Sequence, residues 1–103
     1  MDYRSHVIRF EWDDAKEAIN IQQRGISFSE AALAVLDRNR LELYDADHSD
    51  DEDCWTVIGM AGTISVILRV TITERMNGEI IRIISARKAN ASLRALYLRK
   101  LRG

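Results

Sequence analysis

Three observations predict an α+β fold, with a short N-terminal strand and two helices, then an antiparallel sheet and a C-terminal helix. Residues 64–88, ISVILRVTITERMNGEIIRIISARK, hold two runs rich in β-branched residues around Asn77-Gly78, a dipeptide that supplies the positive φ angles of a tight type I′ hairpin turn. Two earlier segments begin with helix-capping residues, and the first also ends on one. Residues 89–103 space their leucines as a helix does. There are no prolines and no internal repeats, so one domain of 103 residues is expected, with helices packed on one face of the sheet and the other face partly open.

Taken in order, HVIRF at residues 6–10 is β-prone, with Phe10 and Trp12 as core anchors. Asp13 or Asp14 caps a helix running to about Arg24, with Ala15, Ala18, Ile19 and Gln22 inward and Gly25 in the C′ position. Ser27 with Glu30 three residues on is a capping-box pattern. The helix it starts runs to about Leu36, with Phe28, Ala31, Ala32, Val35 and Leu36 apolar and Ile26 as a staple. Leu41 to Tyr44 is a weak strand and Trp55 to Met60 a stronger one; between them lies the acidic loop DADHSDDED. That loop lacks the glycine turn and terminal glutamate of an EF-hand, so it reads as a solvated charge run in which carboxylates favour protonated His48. The closing helix starts near Ala91 or Ser92 and turns Leu93, Leu96, Tyr97 and Leu101 to one side, Arg94, Arg99, Lys100 and Arg102 to the other.

Placing Asn77 and Gly78 at the hairpin tip puts Arg75 opposite Ile80, Thr73 opposite Arg82 and Ile72 opposite Ile83, because antiparallel partners keep a constant index sum. Alternation then makes two faces. Val70, Ile72, Ile81 and Ile83 form the core face; Arg69, Thr71, Thr73, Arg75 and Arg82 stand among Ile67, Ile80 and Ile84 on the other, where chemistry is expected.

The net charge of −1 conceals a division: residues 69–103 hold nine Lys or Arg against Glu74 and Glu79, while residues 1–68 hold six bases and fourteen acids. A basic C-terminal third suits a polyanion such as RNA or DNA; the competing reading is that the two halves merely neutralise each other across the surface. No apolar run reaches membrane-spanning length, and the first residues have neither a long apolar core nor a small-residue cleavage site, which predicts a cytoplasmic protein with no membrane partner. One cysteine, Cys54, beside only His6 and His48, gives no clustered zinc spacing, so neither metal nor cofactor is expected.

FEWDDAKEAIN followed by RGISFSEAA, then DADHSDDE, then TERMNGEIIRIISARKA together resemble the BrnT toxins of bacterial type II toxin–antitoxin systems, a branch of the RelE-like ribonuclease fold. The likeness covers roughly Phe10 to Ala89. The family's W-D-x-x-K-x-x-x-N stands here as Trp12, Asp13, Lys16 and Asn20, its T-E-R as Thr73, Glu74 and Arg75, and its I-S-A-R-K as Ile84 to Lys88. Three departures stand beside these matches: Gln23-Arg24-Gly25 replaces Lys-His-Gly, Cys54 replaces an arginine, and the helix after Ala89 is more apolar. The resemblance implies a ribonuclease that cuts RNA without a metal and halts translation. It also implies a ribbon-helix-helix antitoxin of the BrnA type as partner, with operator DNA bound only through that antitoxin.

Cleavage by attack of the 2′-hydroxyl on the adjacent phosphate needs a base, cations for the phosphorane and an acid for the leaving 5′ oxygen. Arg75 and Arg82, diagonal neighbours on the second face, suit a phosphate clamp, since each guanidinium is a planar fork. Arg87 and Lys88 either add to the clamp or track the RNA backbone, and Arg69 joins them as an RNA-binding residue. The resemblance makes Glu74 the candidate base, although alternation turns it away from Arg75; Lys16, near one end of the first helix, is a second proton-transfer candidate, and the acid stays unassigned. Two other readings stay open, an inactive homologue that binds the antitoxin as co-repressor and an RNA-binding domain that does not cut.

Overall fold

In the computed structural model, residues 8–45, 53–62 and 64–103 are described, so His6, His48 and most of the acidic loop lie outside the described residues. The elements run β1 (Arg9–Glu11), α1 (Asp14–Arg24), α2 (Phe28–Val35), β2 (Leu41–Tyr44), β3 (Asp53–Ala61), β4 (Val66–Arg75), β5 (Ile80–Lys88) and α3 (Ala91–Arg102). The fold is the α+β arrangement expected. Its strands form one mixed sheet in the order β1-β5-β4-β3-β2, in which β1 joins β5 in parallel and the other pairs are antiparallel.

The helices begin where their caps predict. Asp13 accepts from the backbone N–H groups of Ala15 and Lys16, and Gly25 closes α1 in the left-handed region at φ 71°. Ser27 and Glu30 complete a reciprocal capping box at the start of α2. The inward side of α1 differs from expectation, however. Ala15, Ala18, Ile19 and Gln22 are exposed, and the buried residue is Asn20, whose amide donates to Ile26 O and accepts from Ala86 N. Glu17 accepts from Phe28 N at the start of α2. α1 is therefore sewn down by polar groups that satisfy a strand edge and a helix terminus, and it needs little apolar surface to stay in place.

α2 lies against the sheet through Phe28, Ala31, Ala34 and Val35, over Val57, Ala61, Leu68, Val70, Ile72, Ile81, Ile83 and Ala86. Ala34 replaces Leu36 in the expected inner set, Leu36 being exposed, because α2 comes closest to β3 at Gly59. The third helix corrects the expectation that all helices share one face. Ile58 and Ile67 point away from α2, and Tyr97 of α3, 2% exposed, packs on them with Ala89 and Leu93. Leu96 and Leu101, expected beside Tyr97, are each 43% exposed.

The hairpin keeps the predicted pairs Arg75↔Ile80, Thr73↔Arg82 and Ile72↔Ile83. Two details differ. Met76 joins Asn77 and Gly78 at positive φ, so the turn spans four residues and the strands stop at Arg75 and resume at Ile80. Beyond Ile83 the register slips by one, Thr71 pairing with Ser85 and Val70 with Ala86. Ile84 is thus an extra residue in a β-bulge, which moves Ala86 onto the core face.

Candidate active site

Strand register decides what stands on the sheet face away from α2, here the open face. Partners across a ladder point to the same side, so Arg75, Thr73, Thr71 and Arg69 of β4 share that face with Ile80, Arg82, Ser85 and Arg87 of β5. Among the described residues only one end of it is covered, where α3 sits over Ile58 and Ile67.

At the uncovered end, parallel pairing sets Glu11 of β1 beside Arg82 of β5. Arg75 donates a hydrogen bond to Glu11 Oε1, and Arg82 Nη1 lies 3.5 Å from the same oxygen. Two guanidinium groups thus converge on one oxyanion, on a surface where all three side chains remain between a third and a half exposed. An arginine fork has five N–H donors, so each can hold a carboxylate oxygen and still present donors to a phosphate. Opposite Arg82 in the ladder, the Thr73 hydroxyl is buried and has no hydrogen-bond partner among the described residues.

At the other end, Arg69 stands opposite Arg87, and among the described residues neither has a carboxylate partner. With Lys88 and Asn90 they line a depression of about 220 Å³. A larger groove of about 590 Å³ continues from Arg69 between Leu43 of β2 and Leu93 of α3. Six residues of strand separate Arg69 from Arg75, roughly 20 Å of extended chain. The open face of β4 and β5 is therefore a cationic track with an arginine pair at each end.

Two residues that the sequence made candidates stand elsewhere. Glu74 is on the α2 face, opposite Asp53 in the ladder, and lines a recess of about 190 Å³ with Arg40, Glu42, Val57 and Ile72. Burial raises its carboxyl above the usual range, and the nearby charges of Glu42 and Asp53 push the same way, against a smaller opposing effect of Arg40. The bulge at Ile84 lies too far along the hairpin to bring Glu74 round to Arg75. Lys16 is exposed on α1, a helix tied to the α2 layer. The structure therefore brings Arg75 and Arg82 together and separates both from Glu74 and Lys16.

Glu11 was missed because the sequence marks only its neighbours, Phe10 and Trp12, as core anchors. Alternation could have placed it on the reverse side, but nothing local reveals that β1 pairs with β5. Among the described residues no three His, Cys, Asp or Glu side chains are grouped to hold a metal ion, and no helix is long and apolar enough to cross a membrane.

A search of curated proteins finds no match. The family model described as the ribonuclease toxin BrnT of type II toxin–antitoxin systems, in contrast, matches residues 12–92, from the start of the first helix through the sheet to the start of α3. On that match, covering most of the chain, the protein belongs to the BrnT family of ribonuclease toxins.

Proposed function

We propose that this BrnT-family chain is an endoribonuclease that cuts RNA without a metal and so inhibits translation, with Arg75 and Arg82 clamping the scissile phosphate. The observation that carries the reading is the convergence of both guanidinium groups on one carboxylate oxygen at the open face. A phosphorane oxygen presents the same kind of acceptor, and donors fixed in place before the reaction stabilise the charge that develops there. Arg69, Arg87 and Lys88 hold the RNA backbone further along the track, where extended single-stranded RNA lies flat on the sheet.

The toxin–antitoxin family implies an antitoxin and an RNA substrate. A ribbon-helix-helix antitoxin of the BrnA type, carrying the complex to operator DNA, would neutralise most directly by covering the arginines of the open face. The test of the function is purified protein with naked RNA, with and without chelator. Fragments ending in 2′,3′-cyclic phosphate and 5′-hydroxyl, produced equally in both samples, support it. Intact RNA beside retained antitoxin binding favours a non-cleaving co-repressor.

A further inference from the structure

We infer that Glu11 is the catalytic residue that takes the proton from the attacking 2′-hydroxyl, an assignment that rests on the ribonuclease reading above. Four carboxylates stand on the strands of this sheet: Glu11, Glu42, Asp53 and Glu74. Register turns three of them to the α2 face, since Glu42 pairs with Val57 and Asp53 with Glu74, in phase with the buried Val57, Val70 and Ile72. Among the described residues Glu11 alone pairs onto the face that carries Arg75 and Arg82. It lies one residue outside the stretch that the family model matches.

The contacts suit the role. Both arginines meet Oε1, and Oε2 has no protein partner among the described residues. The carboxylate is thus held by one oxygen and offers the other to solvent or substrate. The remaining guanidinium donors stand beside the same carboxylate, so a phosphate that they bind is a neighbour of Glu11, as a 2′-hydroxyl is of the 3′-phosphate in one nucleotide. The step balances without an oxidant or a cofactor. Glu11 takes the 2′ proton, O2′ forms a bond to phosphorus as the P–O5′ bond breaks, and water protonates the leaving O5′. Glu11 then returns its proton to solvent, leaving a 2′,3′-cyclic phosphate and a 5′-hydroxyl.

A merely positioning Glu11, holding the arginines extended, would act on binding instead of proton transfer. The test compares native protein, Glu11→Gln and Glu11→Asp in single-turnover cleavage of an oligoribonucleotide across pH, after thermal unfolding has shown each to be folded. Affinity is measured with the same oligonucleotide carrying a 2′-deoxy sugar at the cleavage site. Glu11→Gln should lose about 10²–10⁴-fold in rate, the range for a general base, and lose the acidic limb of the pH profile, while binding the 2′-deoxy probe within a few-fold of native. Glu11→Asp should recover part of the rate. A substrate with sulfur in place of O5′, whose leaving group needs no acid, should show the same loss. A glutamine variant as fast as native, a loss matched by lost affinity, or a loss abolished by the sulfur substrate each overturns the assignment. Native protein that cuts nothing overturns the ribonuclease reading, and this role with it.

Discussion

Tyr97 donates its phenolic hydrogen to Asp37 Oδ2 across the end of the sheet, joining α3 on the open face to the turn after α2 on the other. The same oxygen accepts from Met60 N at 2.8 Å, and Asp37 Oδ1 accepts from Asn39 N at 2.9 Å. Burial alone would raise the Asp37 carboxyl, but these hydrogen bonds and the charge of Arg40 outweigh it and hold the group below the usual range. The Tyr97 phenol is pushed up to about 12 by burial, then by its bond to Asp37 and the charge of that carboxylate.

Tyr97→Phe should therefore cost about 1.5–3 kcal/mol near neutral pH, the range for a hydrogen bond to a charged group. A depressed carboxyl stabilises above its unfolded pKa and is lost as pH falls through the folded one, so the native advantage should shrink below the ordinary aspartate range. A raised phenol stabilises below its unfolded pKa, so the advantage should shrink again between about pH 10, the free phenol's value, and about pH 12. Urea unfolding of both proteins across pH measures this; parallel stability curves would refute the linkage.

Gly59→Ala should be severely destabilising. A Cβ built there meets the Ala34 carbonyl oxygen at 2.1 Å and its carbon at 2.9 Å, and a helix backbone cannot swing aside as a side chain can. Loss of at least about 2–3 kcal/mol is expected, at the upper end of overpacking costs, read as a fall in midpoint during chemical unfolding.

Arg75→Ala and Arg82→Ala should each abolish growth arrest on induction and cut the cleavage rate by about 10²–10³-fold, as removal of a donor to a developing oxyanion does. Both side chains are partly exposed and their loss leaves the core intact, so circular dichroism and unfolding midpoint should stay near native. Full toxicity of either variant at equal expression would remove that arginine from the clamp.

Glu74→Gln should leave cleavage within a few-fold of native, since Glu74 stands on the face opposite the arginines. Its raised carboxyl means that the folded state resists ionisation, so native stability falls as pH rises from the ordinary glutamate range through the folded value. The glutamine variant should unfold at a slightly higher temperature at pH 7 and match the native protein in acid, where both side chains are neutral. A drop in cleavage of 10²-fold or more would return the base to Glu74.

Antitoxin binding to the Arg75→Glu, Arg82→Glu double variant should weaken and lose much of its salt dependence, because a cationic face steers and holds an acidic partner. Unchanged affinity across a salt series would show that neutralisation works from another surface.

What the sequence made legible was local or short-range. Asp13, Gly25, Ser27 and Glu30 act within a few residues of themselves, and Asn77-Gly78 sets the pairs of the hairpin's distal half by proximity. Glu74's face followed from alternation alone. The bulge at Ile84 was hidden because nothing in Ile83-Ile84-Ser85 distinguishes an extra residue from a paired one. Asn20 escaped an apolar reading of α1, since its burial is carried by hydrogen bonds to groups 6 and 66 residues away. The leucines of α3 have the same spacing whether or not a sheet lies beneath them, and Tyr97 wins the inward place through Asp37, a partner 60 residues earlier. The candidate site suffered most from this limit, for its arginines were visible in one hairpin while the carboxylate between them arrives on a strand 64 residues from Arg75.

The parallel seam between β1 and β5 also has a consequence in time. A ribosome adding about 5–20 residues per second takes roughly 4–14 s to travel from Glu11 to Arg82, and during that interval the first strand has no neighbour to pair with. The arginine–carboxylate cluster cannot form on a chain that is still short of β5, so Glu11 waits without Arg82 until that residue has been added. Chains that stop before β5 lack the pairing that sets Glu11 beside Arg82, whatever partner they meet.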